Sequence, residues 1–202
     1  LENHLDGQGL APYDLLAELL GKLGRAKEID ARLEKLRAEN PKSLALLVYL
    51  GERFRAAKQF GKAEPLCSEI LKTGPSIAAY RALVEIHVAE KKADRLLSVL
   101  GNVIETTGTF EVLGAHADLL ASDGPLFGSL IEAAGRRLKA EPEQFTYSQR
   151  MAIAILAGHR KQYDRAAEFF ESALRARPNE STEVLLTWGV GLLHDDRPAE
   201  AV

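Results

Sequence analysis

A proline or glycine that ends a helical pattern recurs along this chain at nearly constant intervals. These residues are 34, 33, 34 and 36 positions apart, at Pro41, Pro75, Gly108, Pro142 and Pro178. Proline and glycine commonly mark helix ends, since proline lacks an amide proton and glycine readily adopts left-handed backbone angles. A period of this length is typical of stacked copies of one small unit that cannot bury its apolar face alone.

The second half of each unit carries an apolar stripe at helical spacing. Apolar residues recur there at i, i+3, i+4, i+7 and i+8, which is one face of an α-helix. The complete stripes are Ala63, Leu66, Cys67, Ile70 and Leu71; Leu96, Val99, Leu100, Val103 and Ile104; and Ala166, Phe169, Phe170, Ala173 and Leu174. Each stripe predicts a helix that packs one face against a neighbour.

The first half of each unit repeats a large residue followed by a small one. The pair is Leu50-Gly51 in one unit, Leu113-Gly114 in another and Trp188-Gly189 near the C-terminus. Glycine inside a helix costs about 1 kcal/mol relative to alanine. Its return at this position predicts that close packing of a neighbouring helix offsets the cost. One unit departs from the pattern, because Arg150 stands in its first apolar position.

These residues resemble the tetratricopeptide repeat, whose pattern runs from a large residue through Leu-Gly to an aromatic, a small residue and a proline. Residues 163–178 and 47–75 match it most closely. The resemblance implies an all-α fold, a right-handed α–α superhelix (solenoid) of about five and a half helical hairpins. We expect a single array over residues 1–202, with units at about 10–41, 44–75, 77–108, 109–142, 147–178 and, in part, 182–202.

The last residues predict a second-half helix that has only begun. Pro198 suits a first helical turn, and the chain stops at Val202. Because a first-half helix needs a partner to cover its apolar stripe, we expect this chain to be a fragment of a longer protein.

Charge is close to balance, with 26 Lys and Arg residues against 29 Asp and Glu residues. No basic stripe is present, which argues against nucleic acid and anionic membrane surfaces as partners. No apolar run reaches the length of a membrane span, so we expect no membrane insertion. The single cysteine, Cys67, is interpreted as a buried apolar residue. It allows a reducing compartment such as the cytoplasm without requiring one, so the localisation is left open.

No motif in the chain predicts catalysis, a cofactor or a metal site. The sequence lacks a glycine-rich phosphate loop and a strand–turn–helix nucleophile. Its five histidines are not spaced to share a metal on one helical turn, and His87, at an aromatic's position, is interpreted as a core residue. We therefore expect no enzyme activity, no cofactor and no metal.

First-half helices line a concave groove in the tetratricopeptide family, and the resemblance implies which residues face it here. Carried over one by one, they are Val48, Glu52, Arg55, Arg81, Glu85, Met151, Ile155, His159, Leu186 and Val190. This set lacks the Lys, Arg and Asn pattern of members that bind a terminal carboxylate. Its later residues are largely apolar, which suits a partner helix or a peptide with apolar anchors. Alternatively, these apolar residues pack on a neighbouring helix.

The function expected from this pattern is a protein–protein interaction scaffold that binds a peptide or helix of a partner. A second interpretation is an accessory region of a larger multidomain enzyme that presents substrate or regulates activity. RNA binding by a helical repeat is less favoured, because it needs a basic groove and polar residues at fixed positions. Exposed ends of the array also allow self-association.

Overall fold

A computed structural model describes residues 9–108 and 111–194 of the chain. Within these residues the regular secondary structure is helical, with no β-strand, which confirms the expected all-α fold. The predicted helix at Pro198 lies outside the described residues. The α-helices are α1 (Ala11–Lys22), α2 (Ile29–Glu39), α3 (Leu44–Ala56), α4 (Phe60–Thr73), α5 (Ile77–Ala89), α6 (Ala93–Thr107), α7 (Glu111–Ser122), α8 (Gly124–Ala140), α9 (Tyr147–His159), α10 (Tyr163–Ala176) and α11 (Ser181–His194).

Four of the turns between paired helices share one backbone conformation. The second residue after the first helix has a positive φ of 55–70°, at Gly24, Lys58, Lys91 and Lys161. In each turn the N–H of this positive-φ residue donates to the carbonyl of the residue three positions earlier. The N–H of the following residue donates to the carbonyl five positions before that following residue. This is the Schellman arrangement that satisfies the last carbonyls of a helix. The recurrence of this turn gives the hairpins a common local geometry.

The hairpin of α7 and α8 is built differently. A single residue, Asp123, separates the two helices, and its carboxylate accepts a hydrogen bond from the Leu126 N–H at 3.0 Å. The same carboxylate lies 3.6 Å from the Lys91 ammonium group. Asp123 is therefore an N-cap of α8. Gly124 and Pro125 follow it as the first two residues of α8, where the missing N–H of proline breaks no hydrogen bond.

The chain divides within α5 into two compact units, residues 1–82 and 83–202. In the first unit α3 and α4 pack most extensively against each other. Gly51 of α3 is buried, but a Cβ atom there would make only an ordinary contact, 3.8 Å from Leu66 Cβ. A Cβ atom on Gly114 of α7 would meet nothing within 4 Å. The expectation that close packing offsets the cost of this glycine is therefore wrong at Gly114, whereas at Gly51 helix α4 does lie in contact but leaves room for a methyl group.

The second unit is centred on α9, which packs most extensively against α10 and α6 and also touches α7, α8 and α11. Eight consecutive residues, Tyr147 to Ala154, are buried, as expected for a helix with neighbours on all sides. The contact between α6 and α9 bypasses the hairpin that lies between them in sequence. Packing in this unit is thus not confined to successive hairpins, which differs from a one-dimensional stack. The superhelix and the number of repeats stay predictions.

Candidate functional site

Three of the predicted groove residues lie on α3 in the first unit. Val48 is half-buried, Glu52 is exposed and Arg55 is half-buried. Arg55 donates from Nε and Nη2 to one oxygen of Glu52, at 3.2 and 2.5 Å. Arg55 and Glu52 therefore form an ion pair within α3. Arg81, half-buried on α5, is the last predicted groove residue of this unit.

In the second unit, two histidine–carboxylate pairs connect α7 to the helices α5 and α9. Nε2 of the buried His116 lies 3.6 Å from a carboxylate oxygen of Glu85 on α5. On the other side, Asp118 Oδ1 lies 2.9 Å from His159 Nε2 on α9. Glu85 and His159 were predicted as groove residues, whereas His116 and Asp118 were not. Asp118 stands where Arg55 stands in its own unit, so the register of the repeat contained the signal for it.

Met151 is the clearest departure from the predicted groove. Its exposed fraction is 0%, because α9 is enclosed by several helices. The structure places it in the core, in agreement with the alternative interpretation and not with the groove. Ile155, one turn later, is half-buried, and His159 at the end of α9 is exposed. The accessible part of α9 is therefore its C-terminal half.

Helix α11 exposes two predicted groove residues strongly. Leu186 is 62% exposed and Val190 is 63% exposed. The helix is held by Trp188, whose ring stacks on Phe170 of α10 at 5.5 Å, and by the buried Val184. Since this anchoring is provided by other side chains, Leu186 and Val190 are left to solvent.

We call Asp118, Ile155, His159, Leu186 and Val190 the α9–α11 surface. Helices α9 and α11 are in contact, and Ile155 and Val190 hold equivalent positions in the repeat. The side chain of Asp118 is 99% exposed, so its carboxylate can accept further hydrogen bonds beside the His159 ring. The surface thus includes exposed aliphatic groups on α11 and an exposed carboxylate on α7 that lies against His159 of α9.

Two groups that could suggest chemistry, Cys67 and His87, are buried. Burial raises the pKa of the Cys67 thiol to about 11, and the Glu52 carboxylate adds to the effect. Cys67 is therefore a protonated core residue, since it is the thiolate that reacts. His87 is also buried, at 2% exposure, as expected for a core histidine.

Arg150, which breaks the apolar pattern of its unit, is a buried structural anchor. Its Nε donates to the Phe145 carbonyl and Nη1 donates to the Ser172 carbonyl, each at 2.8 Å, and Nη2 donates to the Pro142 carbonyl. Burial lowers the pKa of this guanidinium from its usual value. Arg150 joins the turn before α9 to α10.

The class defined by these observations is an all-helical protein in which helical hairpins share turn geometry. A scan against protein-family models found no match, and a search of curated proteins also found none. Among the helices of the described residues, none has both the length and the apolar character needed to cross a bilayer. The tetratricopeptide relationship therefore remains a resemblance carried by the sequence pattern.

Proposed function

We propose that this protein is an interaction scaffold that binds a helix or peptide of a partner protein through the α9–α11 surface. The observation that carries the proposal is the exposure of Leu186 and Val190 on a helix whose opposite side is anchored by Trp188. Contiguous exposed apolar groups are typical of interaction sites in folded proteins. An amphipathic helix or an extended segment with apolar anchors is the ligand that such groups suit.

The charge of the surface favours ligands that carry a basic residue. Asp118 presents an exposed carboxylate next to His159. A lysine or arginine of the ligand, placed beside its apolar anchors, would form a charge-assisted hydrogen bond with that carboxylate. We therefore expect ligands with aliphatic or aromatic anchors and a neighbouring basic residue.

The test is a selection from a displayed library of amphipathic helices and random peptides on the intact chain. Trp188 is the only tryptophan of the chain and lies on α11, so its fluorescence reports ligand binding directly. Selected ligands should lose affinity for the double variant Leu186→Glu/Val190→Glu. The matched control is Leu44→Glu, which changes an exposed leucine on α3, outside the α9–α11 surface, and should leave affinity unchanged.

Two results would contradict the proposal. One is a selection that yields no ligand sensitive to the double variant although circular dichroism shows it folded. The other is tight binding of mixed RNA that weakens steeply with salt, since this would indicate phosphate recognition.

A further inference from the structure

Helix α1 and its C-cap residue Leu23 expose a row of three leucines along one side. Leu15, Leu19 and Leu23 follow the spacing i, i+4, i+8 and are 55%, 48% and 67% exposed. The opposite side of α1 buries Tyr13 and Leu20. An apolar arc this wide is typical of a helix with neighbours on two sides.

The equivalent side of another first-half helix is fully covered. In the repeat, Leu15 and Leu19 correspond to Ala152 and Leu156 of α9, and both of these have an exposed fraction of 0%. Gln149 lies on the same side of α9 and meets α6 at Gly101. The leucine row of α1 thus has the position and character of a helix-docking side.

We propose that this side of α1 binds α1 of a second copy in an antiparallel, two-fold symmetric contact. Glu18 and Lys22 lie on the same flank of α1, one turn apart, and form an ion pair with each other. In the two-fold arrangement the pairs of the two copies are complementary to each other. A two-fold axis at Leu19 brings Leu19 against Leu19 and Leu23 against Leu15. It leaves each Glu18 roughly 3 Å along the helix axis from the point opposite Lys22 of the other copy, which these two long side chains can span. Antiparallel helices also align their dipoles favourably.

The proposed contact between the two copies is small for a protein–protein interface. One helix side buries much less than the roughly 1,600 Å² of a standard interface. We therefore expect a weak, concentration-dependent association, with a dissociation constant between about 1 µM and about 1 mM.

Sedimentation equilibrium of the whole chain from about 1 µM to about 1 mM covers this range. The wild-type mass rises from the monomer value of 22.1 kDa towards twice that value. The double variant Leu15→Glu/Leu19→Glu stays monomeric with an unchanged circular dichroism spectrum. The control Leu186→Glu/Val190→Glu dimerises like the wild type, which separates this contact from the proposed ligand surface.

Charge reversal tests the antiparallel geometry. Glu18→Lys and Lys22→Glu each weaken self-association, because like charges then face each other. A mixture of the two variants associates more strongly than either alone, since one carries two lysines and the other two glutamates. A wild-type chain that stays monomeric at every concentration overturns the proposal. So does dimerisation that survives Leu15→Glu/Leu19→Glu, or a mixture no stronger than its components.

Discussion

Gly101 of α6 and Gln149 of α9 lie so close together that no larger residue fits at position 101. A Cβ atom on Gly101 would be 2.2 Å from Cγ of Gln149. The glutamine side chain cannot turn away cheaply, because its Oε1 accepts a hydrogen bond from the Thr146 N–H at 3.1 Å. The backbone N–H of Gln149 donates in return to Thr146 Oγ1. The capping box that starts α9 therefore holds in place the side chain that requires glycine on α6.

The first prediction concerns this crossing. Gly101→Ala should lower the free energy of unfolding by about 1–3 kcal/mol, because either α6 and α9 separate or the cap of α9 is lost. Urea unfolding measures the change. Gly128→Ala in α8 is the matched control, since a Cβ there meets nothing within 4 Å. It should be neutral or stabilise by up to about 1 kcal/mol through helix propensity. Equal effects at the two positions would contradict the close crossing.

The second prediction separates core from surface on α9. Met151→Glu places a charge in a site with no exposure and should abolish the folded circular dichroism signal at 37 °C or lower stability by more than about 3 kcal/mol. Ile155→Glu, at a half-buried position one turn away, should leave the helical spectrum intact. If both variants fold equally well, Met151 is not enclosed as described.

The third prediction concerns the buried arginine. Arg150→Met should cost about 2–4 kcal/mol, because the carbonyls of Pro142, Phe145 and Ser172 lose their donor. Hydrogen exchange should accelerate first in the turn before α9. Arg165→Met removes an exposed arginine that pairs with Glu168 of its own helix, and should change stability by less than about 0.5 kcal/mol.

The fourth prediction uses the shared turn. Lys161 has a φ of 58°, a conformation that costs a side chain roughly 1 kcal/mol and glycine almost nothing. Lys161→Gly should therefore raise the melting temperature, by an amount equivalent to about 0.5–1 kcal/mol. Glu132→Gly, an exposed position inside α8, should lower it instead. A destabilising Lys161→Gly would show that the lysine side chain contributes a contact that outweighs backbone strain.

The fifth prediction is a pH dependence at Cys67. The folded state raises the thiol pKa to about 11 from 9.0, so the folded chain holds its proton where the unfolded chain releases it. This contribution is fully present below pH 9 and is lost as the pH rises from 9 to 11. The free energy of unfolding should fall more steeply over that interval in the wild type than in Cys67→Ala. Parallel slopes would contradict the raised pKa.

Local sequence signals predicted the apolar stripes of the helices and the burial of the stripe residues. The stripe residues Leu66, Leu100 and Phe169 are buried as expected, because apolar spacing of 3.6 residues reflects one helix side wherever that helix packs. The core placement of Cys67 followed from the same stripe. The pattern could not predict that Met151 would be enclosed, since that depends on how many helices surround α9.

The sequence also could not predict which side chains pair between different helices. His116 and Asp118 are two residues apart and reach different neighbouring helices, Glu85 on one side and His159 on the other. Nothing in a single sequence specifies which helices stand beside α7. The register of the repeat pointed to Asp118 as a surface position but not to its partner.

By itself, the amino-acid sequence determined that this chain is helical, and it indicated where the helices pair and which residues form their apolar stripes. These properties follow from short-range spacing and turn chemistry, which act within a few residues. The tertiary structure decided that α6 crosses α9 at Gly101, that Met151 is core and that Leu186 and Val190 are exposed. Those outcomes depend on the relative placement of helices far apart in the chain, which is set by side-chain packing in three dimensions.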